Sequence, residues 1–253
     1  MRNIELVFAL SACGLASLTA EVPAPATAPS PAPSPAKLLR HLEYGFVVSG
    51  QPPTDAFNAA DGGADAADSS GKPVAPEGSK GTIFVDVLSV APDDALVVRI
   101  AERAQGDAQP RQPSTCRVYG NTSVVCPSTP APSQAERVLL GYLGRQFIDG
   151  APWDASGHWQ RSEQAKQFDV AENFTLMDAG DGKKVVVQEV KKTQLHTAGL
   201  ETQTSDVTIH YDRAMEVPDS IRDDVATDGK GGTSHASYQF TLQADSFTKA
   251  PSP

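Results

Sequence analysis

Thr82-Ile83-Phe84-Val85-Asp86-Val87-Leu88-Ser89-Val90, then Ala91-Pro92-Asp93-Asp94, then Ala95-Leu96-Val97-Val98-Arg99-Ile100-Ala101-Glu102, reads as two strands joined by a turn. The Pro-Asp-Asp cluster supplies turn chemistry, and the flanking runs are rich in β-branched residues. Pairing Val90 with Ala95 sets Val87 opposite Val98 and Val85 opposite Ile100. Asp86 then faces Arg99, and Leu88 faces Val97, on the other side. Apolar pairs on one face with a charge pair on the other specify a register, because a one-residue slip would turn every side chain over.

The same period of two recurs outward from this hairpin. Leu42, Tyr44, Phe46 and Val48 alternate with Glu43, Gly45, Val47 and Ser49. Near the other end, Ala236, Tyr238, Phe240, Leu242 and Ala244 alternate with Ser237, Gln239, Thr241, Gln243 and Asp245. Val207, Ile209 and Tyr211 do so as well, placing His210 and Asp212 together on a polar, solvated face. Phe168 to Met177 and Lys183 to Thr193 flank an Asp178–Gly182 turn, and 223–234 reads as a polar loop. Such alternation describes antiparallel strands with one wet face.

One segment has a different period. Ser133-Gln134-Ala135-Glu136 is a capping-box pattern, and Val138, Leu139, Tyr142, Leu143 and Phe147 follow at helical spacing. The expected fold is therefore mainly β (α+β): a curved antiparallel sheet with one amphipathic helix, 134–147, packed on its concave face. In general shape this is similar to periplasmic lipid carriers of the lipoprotein-chaperone type, a likeness of fold that implies carriage of an apolar ligand. The expected ligand-facing residues are Val138, Tyr142, Phe147, Tyr238 and Phe240.

Cys116-Arg-Val-Tyr-Gly-Asn-Thr-Ser-Val-Val-Cys126 carries a Gly120-Asn121 turn signal between strand-forming residues. A three-residue loop, 120–122, pairs Tyr119 with Ser123, Val118 with Val124 and Cys116 with Cys126. Both sulfurs then lie on one face, where a disulfide can close. Such a bond persists in an oxidising compartment.

The N-terminus points to the same compartment. Residues 1–20 have a basic start, an apolar run and small residues beyond it, the layout of an export signal. Leu10-Ser11-Ala12-Cys13 resembles a bacterial lipobox, which implies lipidation of Cys13; cleavage near Gly14-Leu15-Ala16 or Ala24-Pro25-Ala26 is the other route. Residues 21–36 form a Pro/Ala-rich linker, reaching roughly 40 Å as polyproline II at about 3 Å per residue. A single β-rich domain is expected over 37–250. Within it, 51–80 is an acidic Gly/Ala/Asp/Ser/Pro stretch with too little apolar surface to offset its ordering entropy.

The 253 residues carry a net charge of −10, nearly all of it beyond residue 36. Without a Lys/Arg cluster, nucleic-acid binding is excluded, and contact with a membrane is expected only through an anchor at Cys13. Partners expected are a hydrophobic small molecule or an envelope protein. His41, His158, His196, His210 and His235 are scattered without metal-ligand spacing, so no metal or cofactor is expected. No Gly-x-Ser-x-Gly, His-Glu-x-x-His, Walker or dinucleotide motif occurs. The rival to a non-catalytic envelope domain is an exported hydrolase using Asp154 and His158 from the loop Pro152–Gln160.

Overall fold

The computed structural model describes residues 38–50, 78–120, 122–127, 129–144, 154–166, 168–178, 184–196, 201–212, 217–229 and 232–247. The expected export signal with Cys13, the expected linker, Phe147 and nearly all of the acidic stretch lie outside them.

Among the described residues, eleven strands and one helix follow one another. They are β1 (Arg40–Gly50), β2 (Lys80–Val90), β3 (Leu96–Ala104), β4 (Ser114–Val118), β5 (Val124–Val125), α1 (Gln134–Tyr142), β6 (His158–Gln164), β7 (Phe168–Asp178), β8 (Lys184–Leu195), β9 (Glu201–Asp212), β10 (Val217–Gly229) and β11 (Gly232–Asp245). All strands join one unclosed antiparallel sheet, ordered β5-β4-β3-β2-β1-β11-β10-β9-β8-β7-β6. Every neighbour is adjacent in sequence except β1 and β11. That pairing of the first and last strands, with Phe46 opposite Phe240 and Val48 opposite Tyr238, unites the two halves.

The hairpin that reveals the fold keeps its expected register where it matters. Val87 faces Val98, Val85 faces Ile100 and Asp86 faces Arg99. Nearer the turn it departs by one residue: Val90 pairs with Leu96, not Ala95, and Ser89, not Leu88, faces Val97. The cause is a bulge at Leu88, together with a wider turn. Ala91 N–H donates to the Ala95 carbonyl at 2.8 Å, Asp94 takes a left-handed φ of 60°, and Ala95 is buried. On the outer face Arg99 and His41 share the Asp86 carboxylate, each at 2.6 Å.

The cysteine hairpin forms in the expected register. Val118 faces Val124, Tyr119 N–H donates to the Ser123 carbonyl at 2.9 Å, and Cys116 and Cys126 are joined by a disulfide.

Helix α1 is shorter than its period suggests, ending at Tyr142 with Leu143 as its cap. The capping box is complete: Glu136 N–H donates to Ser133 Oγ at 3.1 Å, and Ser133 N–H donates to the Glu136 carboxylate at 2.6 Å. Ser133 Oγ also donates to Glu102 of β3 at 2.6 Å. Ala135, Leu139, Leu140 and Leu143 are buried in the same cluster as Leu42, Tyr44, Ile83, Val98, Ile209 and Phe240.

Two strands were not expected. Residues 223–229 belong to β10 rather than to a polar loop, and His158–Gln164 forms β6. In β10 the inward positions are Ile221, Asp223 and Val225, so an acid interrupts the apolar row; Pro218 sits at a register shift. In β6 only Trp159 carries a large apolar side chain.

Candidate functional site

The sheet's inner face has two chemical characters. Across β1–β4 and the adjoining part of β11 it is aliphatic and aromatic, with Leu42, Tyr44, Phe46, Ile83, Val85 and Ile100 all buried. Across β6–β10 charged side chains take inward positions. The antiparallel register aligns them in two rows. One row runs Arg161–Glu172–Lys191–Ser205–Val225, and the next runs Trp159–Phe174–Glu189–Val207–Asp223–Tyr238.

Within the first row Arg161 grips Glu172 bidentately: Nη2 donates to Oε1 at 2.9 Å, and Nε donates to Oε2. Lys191 Nζ stands 3.9 Å from the same carboxylate. The guanidinium fork gives that buried carboxylate charge-assisted hydrogen bonds in place of lost hydration. Glu189, in the second row, is buried between Glu172 and Asp223. Burial and the Glu172 charge push its carboxyl up to about 8, against the partial opposition of Lys191 and Arg161. At neutral pH it is therefore a protonated acid, able to donate a hydrogen bond. Trp159 and Phe174 stack at 4.4 Å over the β6 side of this row.

The helix touches the boundary between the two characters. Tyr142 Oη donates to Asp223 Oδ2 at 3.0 Å, and Tyr211 Oη donates to the Tyr142 carbonyl at 3.0 Å. Burial raises the Tyr211 phenol, which stays a donor. Gln203, on β9, is buried too, and its Oε1 has no hydrogen-bond partner.

Four of the five expected ligand-facing residues fall in this interior. Tyr238 and Phe240 are each 1% exposed, and Val138 and Tyr142 pack against the core while remaining half-buried. Tyr142 and Tyr238 adjoin the Glu189–Asp223 row, whereas Phe240 lies one row further into the apolar part. Among the described residues, two open depressions of about 510 and 390 Å³ lie mainly on the outer face. The larger is lined by Thr82, Arg103, Gln239, Thr241 and Gln243, the smaller by Asp206, Asp224, His235 and Ser237; neither includes the expected ligand-facing residues.

Asp154 and His158 come together through the backbone. Asp154 Oδ1 accepts the N–H groups of Ser156 and His158, each at 2.8 Å, and these bonds hold its carboxyl below the usual range. His158 Nδ1 lies 3.2 Å from Thr175 Oγ1 across the β6–β7 pair. Asp154 thus organises the entry to β6.

Arg161, Glu172, Glu189, Lys191 and Asp223 were not among the expected site residues. A faint signal existed: one or two charges at otherwise apolar alternate positions of β7, β8 and β10. It reads equally well as a solvated face until the neighbouring strands are placed.

Among the described residues no cluster of His, Cys, Asp and Glu could hold a metal ion, and no helix is long and apolar enough to cross a membrane. No protein-family model and no curated protein sequence matches this chain.

Proposed function

We propose that this chain is an exported, non-catalytic envelope domain that binds an amphiphile with an apolar chain and a polar head. The observation supporting it most is the wide sheet whose inner face is apolar at one side and ionic at the other. In this reading the eleven-stranded sheet curls and the nine-residue helix α1 lies on its concave side. Leu139 and Leu140 occupy space there that an acyl chain would take, so binding displaces the helix. Each apolar contact exchanged costs and returns about 25 cal/mol per Å², which makes the exchange nearly neutral in buried area. The polar head decides the balance, because Lys191, Arg161 and protonated Glu189 offer donors beside the vacated Tyr142.

Export is part of the reading. The disulfide is compatible with an extracytoplasmic location, and the N-terminal layout suits a tethered module with Cys13 as its anchor. Native mass spectrometry of the protein purified from its own host tests both parts. The expected result is a co-purified amphiphile, together with either a diacylglyceryl mass at Cys13 or a new N-terminus after cleavage. Protein that retains Met1 and carries no bound molecule would overturn the proposal.

A further inference from the structure

Strand β6 closes one end of the sheet order, and its backbone shows which groups remain for another strand. Leu176 N–H donates to the Gly157 carbonyl at 2.7 Å, and Ala165 N–H donates to the Phe168 carbonyl at 2.8 Å. In an antiparallel ladder, residues alternate between exchanging both bonds with the neighbour and turning both groups away. Residues 157, 159, 161, 163 and 165 therefore bond to β7. His158, Gln160, Ser162 and Gln164 turn their N–H and C=O groups to the open side. The His158 carbonyl accepts Asp154 N–H at 2.9 Å, leaving Gln160, Ser162 and Gln164, all exposed, as the edge. β6 contains no proline and pairs with β7 through an unbroken register, so the protections that remain are the charges of Arg161 and Glu163.

We propose that β6 is a self-association edge, pairing antiparallel with β6 of a second copy about a two-fold axis at Ser162. The charges choose this register. An axis at residue 161 would put two Arg161 side chains directly opposite one another, and an axis at 163 would do the same with Glu163. Like charges in that position repel. An axis at Ser162 instead pairs Ser162 with its copy, Gln160 with Gln164, and Arg161 with Glu163 on both sides of the axis. The edge-facing hydrogen-bond groups meet in register in the same arrangement. Arg161 can serve both Glu172 in its own chain and Glu163 of the second copy, because a guanidinium carries five donors. The two-fold makes the interface self-complementary and closed, so the product is a dimer and not a filament.

Sedimentation equilibrium of the full chain, from micromolar to millimolar concentration, tests this. The expected result is a reversible monomer–dimer equilibrium. Ser162→Pro should weaken it at least tenfold, because proline removes an N–H that faces away from β7 and leaves the β6–β7 ladder intact. Ser162→Ala should leave it unchanged. Glu163→Lys, at an exposed side chain, should weaken the dimer comparably and reverse its sensitivity to salt. Circular dichroism and Trp159 fluorescence verify that each variant is folded. A chain that stays monomeric throughout, or a dimer unchanged by both Ser162→Pro and Glu163→Lys, would overturn the assignment.

Discussion

The two sides of this sheet solve the same problem differently. From β1 to β4 the inner face is sealed mainly by branched and aromatic side chains, with Ser114 and Glu102 as polar exceptions near α1. From β6 to β10 the inner face carries Arg161, Glu172, Glu189, Lys191 and Asp223. The first arrangement gains stability from burial alone. The second pairs buried Glu172 with the Arg161 guanidinium and leaves Glu189 to solve its burial by holding a proton. An aliphatic core has little reason to be anything but a core. A buried ionic row costs desolvation and is weak evidence for stability, so its presence argues for another use.

Breaking the apolar side should have the largest effect. Phe240→Ala removes a ring buried between β1 and β10, and should cost about 3–5 kcal/mol, read from the midpoint of denaturant unfolding. Loss of the disulfide, by Cys116→Ala with Cys126→Ala, should cost about 2–3 kcal/mol through the loop it closes, read in the same way.

The ionic side should respond to pH. The Glu189 carboxyl sits near 4.5 in the unfolded chain and about 8 in the folded one. The folded state therefore holds the extra proton, and stability from this group declines as pH rises from about 4.5 to 8, then levels off. Glu189→Gln should remove that decline, so that the variant gains on the parent by about 2 kcal/mol at pH 6, roughly twice that at pH 8, and next to nothing near pH 4. Parallel stability–pH curves for the two proteins would contradict the placement of Glu189. A smaller effect is expected where the helix begins: Ser133→Ala removes the N-cap and the bond to Glu102, at about 1 kcal/mol, seen as a lower thermal midpoint.

The same contrast explains what could be read before the strands were placed. Tyr44, Val85, Ile100 and Tyr238 announce themselves because apolar residues recur at every second position and nothing else competes for that reading. The Cys116–Cys126 hairpin was equally readable, since Gly120-Asn121 sets the loop and the loop sets the register. Strand β10 was hidden because Asp223 occupies an inward position in the middle of it, and β6 because Trp159 shares its face with Arg161 and Glu163. Burial of an ion depends on partners brought alongside by strand pairing, such as Arg161 for Glu172, and no local pattern encodes that. Of the candidate site, the aromatic half represented by Tyr142 and Tyr238 could be picked out from spacing, and the charged half could not.

The central claim is that an amphiphile takes the place of α1 against the inner face. Hydrogen–deuterium exchange, with and without saturating lauric acid as the probe, tests it most directly. The account predicts that amides in 136–143 lose protection when the probe binds, while those of β1 and β11 keep theirs. Probe binding that leaves the helix equally or better protected, or no binding by either the parent or Tyr142→Phe, would contradict it.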